Sequence, residues 1–246
     1  MSFSIGITTF KNRFNRVLFL LDKIRSRGNW PILLSVNGEH NEKFNEEYRK
    51  VILHLASNVE NCFVSMFTEF RSLSKLWNTL LITSHTDWNL ILNDDVVIND
   101  EFPFESLEAI ANNHPQPECF ALNGSFSHYF INRRLVAEVG WFEERLLGIG
   151  EEDTDMVWRI ENTGKKIYKP SVKGILNIHD GQRPNNIKTG EMHYSAYNRN
   201  FIFNEKYKKD DSGIKGMFET NYKNQIEHIN AYPNEIFYWN NKNKLS

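Results

Sequence analysis

The sequence predicts an α/β fold with a mostly parallel central sheet flanked by helices. In its first half, short apolar and β-branched segments alternate with longer segments in which apolar residues recur every three or four positions. These are the spacings of buried strands and of amphipathic helices. Because parallel neighbours need crossover connections, which helices usually form, this alternation favours a sheet that is covered by helices.

The first half is divided into four strands and three helices. The predicted strands are Phe3–Thr9, Ile32–Val36, Cys62–Phe67 and Trp88–Leu92. The predicted helices between them are Asn12–Ser26, Glu42–Ala56 and Leu73–Thr83. In the first of these helices the apolar residues fall on one face, and Gly28 follows its end as a stop signal.

The second half is less regular. It contains one or two predicted strands within Phe120–Ile131, and two more at Lys166–Tyr168 and Ile175–Ile178. Its predicted helices are Arg133–Val139, Asp153–Asn162 and Ser195–Lys206. Since the sequence has no internal repeat and no low-complexity linker, we expect one domain over residues 1–180 and a C-terminal extension over residues 181–246.

Composition and charge exclude some classes of function. The 246 residues have a net charge of −2, which argues against nucleic acid as the main partner because a phosphate backbone requires a basic face. The basic cluster Lys206–Lys209 is interpreted as a solvated helix end. Cys62 and Cys119 have no metal-type spacing, and we expect reduced, buried thiols, as in a cytoplasmic protein.

No membrane-crossing or secretory segment is predicted. No apolar segment approaches the ~18 residues that a bilayer span needs, and the N-terminus lacks the basic and apolar regions of a signal peptide. We therefore expect a cytoplasmic protein of bacterial or viral origin, or one attached to a membrane only at its surface.

Three polar segments follow predicted strands: Thr8-Thr9-Phe10, Asn37-Gly38 and Asn93-Asp94-Asp95. Ligands of parallel α/β sheets bind beyond the carboxyl ends of the strands, so these segments are expected on one edge. The acidic tripeptide offers hard oxygen ligands suited to Mg²⁺ or Mn²⁺. The alternative interpretation is a plain turn, because Asn and Asp favour turns for their own local hydrogen bonds.

A second acidic segment, Gly148–Asp155, precedes and begins a predicted helix. Its carboxylates are expected near the helix N-terminus, where the dipole favours negative charge, so capping is one interpretation. The other is catalytic, because a carboxylate beside a sugar hydroxyl can act as a general base. Asp155 and Arg159 lie four residues apart and predict a structural ion pair. His179 follows an apolar strand and is a candidate imidazole ligand.

Taken together, these motifs resemble those of nucleotide-sugar glycosyltransferases with the GT-A fold. Ile5–Arg13 resembles the opening strand and its T-x-x-N-R turn, and Ser72–Asn78 resembles the helix that carries an Asn before the acidic motif. Leu92–Val96 resembles the DXD motif. Gly140–Asp155 is similar to the "G-W/L-F … G-x-E-D-x-D" block of inverting bacterial-type enzymes, of the β-1,4-galactosyltransferases and of the chondroitin-polymerase type. The resemblance covers positions 3 to 180.

The resemblance implies roles for individual residues. Asp95 would be the principal ligand of Mn²⁺ or Mg²⁺ and His179 would complete the coordination, while Asn93 departs from the family's usual leading Asp. Asp153 would be the catalytic base, Glu152 would bind sugar hydroxyls, and Trp141 would contact the acceptor. The residues implied in binding the nucleotide sugar are Thr8, Phe10, Arg13, Asn37, Asn78, Asn93 and Asp94.

The function implied is transfer of a hexose or N-acetylhexosamine, UDP-linked by preference, to a hydroxyl of a glycan or glycolipid, with inversion. Residues 1–100 would form the nucleotide-binding half and 101–180 the acceptor half, with 181–246 as a possible lid or acceptor-binding segment. In that segment His193 is a secondary candidate for binding the metal or the diphosphate, and Arg183 is a candidate phosphate contact. Two alternatives are a sugar-phosphate nucleotidyltransferase, which should have a Gly-rich basic first turn, and a catalytically inactive carbohydrate-binding protein.

Overall fold

The structure, a computed structural model, describes residues 2–9, 14–38, 45–114, 116–178 and 195–206. Nine strands form in chain order: β1 Phe3–Thr9, β2 Ile32–Val36, β3 Cys62–Met66, β4 Trp88–Asn93, β5 Val96–Ile98, β6 Cys119–Ala121, β7 His128–Asn132, β8 Ile167–Tyr168 and β9 Ile175–Asn177. Seven of them form one sheet in the order β3-β2-β1-β4-β7-β6-β8. The first four are parallel, β7 is antiparallel to both its neighbours, and β6 and β8 are parallel.

Seven α-helices accompany these strands in the described part of the chain. They are α1 Phe14–Arg25, α2 Glu46–Asn58, α3 Leu73–Thr83, α4 Phe104–Asn113, α5 Arg133–Val139, α6 Glu152–Asn162 and α7 Ser195–Asn200, the last continued by a π-helical segment, Phe201–Lys206. The predicted α/β fold class with a mostly parallel sheet is confirmed.

The predicted boundaries agree best in the first half. All four parallel strands agree with the prediction to within one residue at each end. The second helix begins at Glu46, where the Asn45 side chain caps it by accepting a hydrogen bond from the Tyr48 N–H at 2.9 Å. The segment predicted as one or two strands forms two, joined by a 3₁₀ turn at Leu122–Gly124. The sequence prediction missed β5 and α4.

The sheet separates two hydrophobic cores. Alternate residues of β4 point to opposite faces, so Ile91 packs with α3 and α6 while Leu90 and Leu92 pack on the face that α1 covers. Gly6 lies where α3 approaches β1, and a Cβ there would meet the Ile91 side chain at 2.8 Å. The glycine therefore allows close packing of helix and sheet.

A second, two-stranded sheet is formed by β5 and β9. β5 and β9 pair antiparallel, with Val96 opposite Asn177. The Ile178 N–H then donates to the Asp95 carbonyl oxygen at 2.7 Å. This pairing brings a segment from far along the chain beside the acidic tripeptide.

The described part of the C-terminal extension packs against the domain. Phe201 and Ile202 are buried in the core that α3 and α6 share. Lys206 is buried as well, so the prediction that the cluster beginning there is a solvated helix end is wrong for this residue. Both cysteines are free thiols as predicted, with Cys119 buried and Cys62 partly buried.

None of the helices in the described ranges combines the length and the apolar character needed to span a membrane.

Candidate active site

The acidic tripeptide begins at the last residue of β4. The Asn93 side-chain oxygen accepts hydrogen bonds from Thr8 Oγ1 at 3.0 Å and from Trp77 Nε1 at 3.2 Å. The Asn93 N–H donates to the Ser127 carbonyl at 2.8 Å. Thr8, predicted to contact the nucleotide, and Asn93 therefore hold the ends of β1 and β4 together. This fixed strand end positions the two carboxylates that follow it.

Asp94 and Asp95 form the turn between β4 and β5. Asp94 is buried and Asp95 is partly exposed. The Ile178 N–H bonds to the Asp95 carbonyl, so Ile178 lies beside this turn. His179, the predicted second metal ligand, lies outside the described residues, as do Phe10 and Arg13, and their roles stay predictions.

A histidine that the sequence did not single out lies beside this turn. His128, the first residue of β7, is 3% exposed. Burial lowers the pKa of its imidazole, while the neighbouring Asn177 side chain and the charge of Asp95 act in the opposite direction. No local sequence signal marks His128, because its place depends on the register of β7 against β4.

The part of the second acidic segment that precedes α6 has an unusual backbone conformation. Gly148, Gly150 and Glu151 all have positive φ angles, of 54°, 130° and 75°. A positive φ is uncommon for a residue with a side chain, so Glu151 is held there by its surroundings. The Gly150 N–H donates to Glu152 Oε2 at 2.6 Å, and the Gly148 carbonyl accepts from the Leu73 N–H at 2.9 Å. The loop is thereby fixed against both α6 and α3.

The carboxylates at the start of α6 have raised pKa values. Burial raises the pKa of Glu152 to about 8, and the charge of Asp153 adds to the effect. Burial also raises the pKa of Asp153, against hydrogen bonds that include one from the Thr154 N–H at 2.8 Å. Asp153 is partly exposed whereas Glu152 is buried. Perturbed carboxylates on a loop of this kind are typical of sites that move protons.

An aromatic layer connects the two acidic segments. Trp77, which donates to Asn93, lies with its ring centroid 5.3 Å from that of Tyr129 in an edge-to-face arrangement. Tyr129 is fully buried, and its raised pKa reflects burial first and, among further causes, the charges of Glu152 and Asp153. Trp77 and Tyr129 thus lie between Asn93, at the end of β4, and the start of α6.

The C-terminal helix holds the loop before α6. Asn198 is fully buried; its Oδ1 accepts from the Leu147 N–H at 2.8 Å, and its Nδ2 donates to the carbonyls of Leu147 and Gly150 at 2.9 and 2.7 Å. Arg199 forms an ion pair with Glu151 at 3.1 Å. These contacts were not predicted, because they join segments about fifty residues apart.

A cluster of buried charges joins α6 to neighbouring segments of the chain. The predicted ion pair is confirmed: Arg159 Nε and Nη2 donate to Asp155 Oδ2 at 3.0 and 2.9 Å. Lys206 Nζ lies 2.5 Å from Asp155 Oδ1 and 3.1 Å from Glu143 Oε2. Arg145 adds a second cation on Glu143, at 2.6 Å. The cluster consists of Glu143, Arg145, Asp155, Arg159 and Lys206, so every buried carboxylate in it has at least one cationic partner.

Two asparagines predicted to bind the nucleotide have their amides engaged by the protein. Asn37 donates to the Arg71 carbonyl and accepts from the N–H groups of Arg71 and Gly38, at 2.9, 2.7 and 3.0 Å. Both polar atoms of Asn78 bind Phe142 and Glu144 at 2.9 to 3.0 Å. Both side chains are buried, so contact with a ligand would require these bonds to break.

The two tryptophans near the second acidic segment differ in exposure. Trp141 is partly exposed, and its carbonyl accepts from Arg159 Nη2 at 2.8 Å. Its indole stays a candidate acceptor contact. Trp158 is buried in the hydrophobic core, where it has a packing role.

Comparison with known structures supports the fold. S. aureus TarS is 15% identical, with a TM-score of 0.55, and the match covers 71% of this chain and 36% of TarS. A structure titled TarS 1-349 in complex with UDP-GlcNAc is 14% identical, with a TM-score of 0.54 and coverage of 71% and 57%. The mannosyltransferase PcManGT from Pyrobaculum calidifontis, in complex with GDP-Man and Mn²⁺, is 12% identical, with a TM-score of 0.54 and coverage of 69% and 55%.

The chain spans less than two thirds of the length of each of these proteins. No curated protein sequence matches it. The model of the family described as "Glycosyltransferase like family 2" matches residues 62–201, which is more than half of the chain and includes both acidic segments. The chain therefore belongs to the glycosyltransferase-like family 2 and has the GT-A fold predicted from its motifs.

Proposed function

We propose that this protein is a metal-dependent glycosyltransferase that moves a hexose or N-acetylhexosamine from a nucleotide diphosphate sugar to a hydroxyl of a glycan or glycolipid, with inversion. The observation that carries the proposal is the contact of Asn93, the residue directly before Asp94 and Asp95, with Trp77, whose ring packs on Tyr129 near the α6 carboxylates. One acidic segment holds the donor diphosphate through a cation, and the other activates the acceptor.

The residues after β4 fit a divalent cation. Asp94 and Asp95 supply carboxylate oxygens, and Asn177 Oδ1 is a buried oxygen that accepts no hydrogen bond of normal geometry from the described residues. No three His, Cys, Asp or Glu side chains converge to hold a metal within those residues. Mg²⁺ and similar cations are commonly held by one or two carboxylates together with substrate phosphates. A bound cation would neutralise charge that develops on the leaving diphosphate.

We assign the general base to Asp153 and not to Glu152 because the two side chains differ in exposure. Glu152 is buried and its pKa is raised to about 8, so it holds its proton at neutral pH, while its Oε2 accepts from the Gly150 N–H. Asp153 is partly exposed and reaches the surface of the site. Asp153 takes the proton of the acceptor hydroxyl while that oxygen attacks the anomeric carbon. The bond from the anomeric carbon to the diphosphate oxygen breaks, and the configuration inverts.

The donor is proposed to be UDP-linked. The second acidic segment is similar to that of galactosyl and N-acetylhexosaminyl enzymes, and a TarS structure carries UDP-GlcNAc in its title. PcManGT, with GDP-Man, makes a GDP-linked sugar the second choice. Cytoplasmic location and peripheral attachment to a membrane that carries the acceptor are part of the same proposal.

The function is tested by incubating the protein with UDP-, GDP- and dTDP-sugars, with and without Mn²⁺, and measuring the release of nucleotide diphosphate. We expect Mn²⁺-dependent release from at least one donor. In the same panel, Asp95→Ala is expected to abolish metal-supported donor binding. Asp22→Ala, at an exposed position of α1, is the matched control. Absence of turnover and of UDP or GDP binding would indicate an inactive relative, whereas consumption of a nucleoside triphosphate would indicate a nucleotidyltransferase.

A further inference from the structure

His128 is a buried polar side chain without a well-formed hydrogen bond. It is 3% exposed, and neither its Nδ1 nor its Nε2 makes a hydrogen bond of normal length and angle with the residues that the structure describes, although the Asn177 side chain lies beside the ring. A buried polar group that is poorly bonded costs free energy, so nearly all such groups in folded proteins are satisfied by protein, water or a ligand. The ring nitrogens are therefore available to a ligand.

The ring faces the small sheet. In the antiparallel pair of β4 and β7, Leu92 lies opposite His128, and opposite residues point to the same face. Leu92 packs in one core with Val96 of β5 and Ile175 of β9. His128 therefore points toward β5 and β9.

Three potential metal-binding side chains converge there. Asn177 is opposite Val96, which follows Asp95 directly. The Asn177 Nδ2 donates to Ser127 Oγ at 3.0 Å, one residue before His128. The Asn177 side chain also lies beside the His128 ring, but its Oδ1 makes no hydrogen bond of normal geometry with the described residues. Asp95 lies close enough for its charge to act on the His128 ring. A carboxylate, an amide oxygen and an imidazole thus surround one region at the end of β4.

We propose that His128 is a nitrogen ligand of the divalent cation held by Asp95, with Asn177 Oδ1 as a neighbouring oxygen ligand. This inference rests on the proposed function, since it needs a cation after β4, and it adds a selectivity. An imidazole nitrogen suits Mn²⁺ and later transition metals better than Mg²⁺, which prefers oxygen. His128 thus gives the site a preference for Mn²⁺.

The test is a titration of the full-length protein with Mn²⁺ and with Mg²⁺, each as the chloride, by calorimetry and by electron paramagnetic resonance. In His128→Gln we expect Mn²⁺ affinity to fall at least ~10-fold, as is usual when the ligand environment of a metal is altered. Mg²⁺ affinity should change less than about twofold, because the glutamine amide still offers an oxygen. His54→Gln on the exposed face of α2 is the matched control and should change neither.

Two outcomes would overturn the inference. Unchanged affinities for both metals would mean that a trapped water satisfies the ring, and an equal loss of both would mean that His128 only packs. Asp95→Ala distinguishes failure of the proposed function from failure of this inference. If Asp95→Ala changes no metal affinity, the proposed metal site itself is misplaced. If Asp95→Ala loses the metal but His128→Gln does not, only the role of His128 is refuted.

A spectroscopic measurement covers the case in which His128→Gln does not fold. The Mn²⁺-loaded protein should show electron spin-echo modulation from a bound ¹⁴N nucleus, and this modulation should persist in His179→Gln. Its absence from the unmodified protein, or its loss in His179→Gln while Mn²⁺ is still bound, would contradict a nitrogen ligand at His128.

Discussion

The two sides of the site are held in place by different forces. On the β1–β4 side, neutral amides do the positioning: Asn93 joins the ends of β1 and β4, and Asn37 ties the end of β2 to the loop before α3. On the α6 side, buried charges from distant segments meet, with Lys206 and Arg159 sharing Asp155. The β1–β4 side is thus set by neighbouring strands of one sheet, while the α6 side depends on the C-terminal helix.

This difference has an energetic consequence. A neutral buried hydrogen bond contributes about 1 kcal/mol net, whereas a buried ion pair combines a large desolvation cost with a large attraction. Removing one partner of an ion pair on the α6 side should therefore lower the free energy of unfolding far more than removing one amide on the β1–β4 side. Four predictions test this comparison, from the largest effect to the smallest.

Asp153→Asn should leave donor binding intact and reduce transfer by about 10²- to 10⁴-fold, the usual contribution of a general base. The substituted amide keeps the size of the side chain but cannot take a proton. Single-turnover transfer and donor binding by calorimetry would measure the two effects separately. Unchanged transfer would move the base to another residue or indicate a retaining mechanism.

Lys206→Met should destabilise the protein by about 3–5 kcal/mol, because it leaves Asp155 and Glu143 buried with one cation fewer. Urea denaturation monitored by tryptophan fluorescence would measure the loss. Lys50→Met, which removes an exposed pair with Glu47, is the control and should have little effect because solvent screens such pairs. Equal effects of the two substitutions would refute the view that buried charge holds the α6 side.

Glu152 should make stability fall as pH rises from about 4.5 to about 8. In this window the folded state keeps a proton on Glu152 that the unfolded state has released, because burial raises the folded pKa to about 8. A state that binds more protons is destabilised by raising the pH. Glu152→Gln cannot titrate, so its unfolding free energy should be flatter over that range; denaturation at several pH values would show it. Parallel curves for the two proteins would argue against a raised pKa.

Asn198→Ala and Asn37→Ala form a matched pair, since each removes one buried amide with three hydrogen bonds. Each should cost about 1–3 kcal/mol of stability. Their kinetic effects should differ: Asn198→Ala should lower kcat severalfold because the loop before Asp153 loosens, while Asn37→Ala should raise the KM for the donor. Initial rates over a range of donor concentrations would distinguish them, and identical kinetic profiles would contradict the division into two sides.

Most of the fold and part of the site could be predicted from local patterns. The four parallel strands and the helix α3 follow from their periodicity, and the ion pair of Asp155 and Arg159 follows from i,i+4 spacing. Motif position implied that Asn37 and Asn78 contact the ligand, and this stays a prediction; local patterns did not show that both amides bond to backbone groups within the protein. His128 and Asn198 have no local signal, because their neighbours lie far away along the chain.

The α/β class, the positions of the two acidic segments and their resemblance to glycosyltransferases can all be recognised from the amino-acid order, because strand and helix periodicity and short motifs are local properties. The folded structure is needed to show which polar side chains are buried and hydrogen-bonded and which carboxylates have raised pKa values. Burial and pairing depend on contacts between distant segments, such as α7 with the loop before α6 or β9 with β5. The spacing of residues along the chain does not encode those distances.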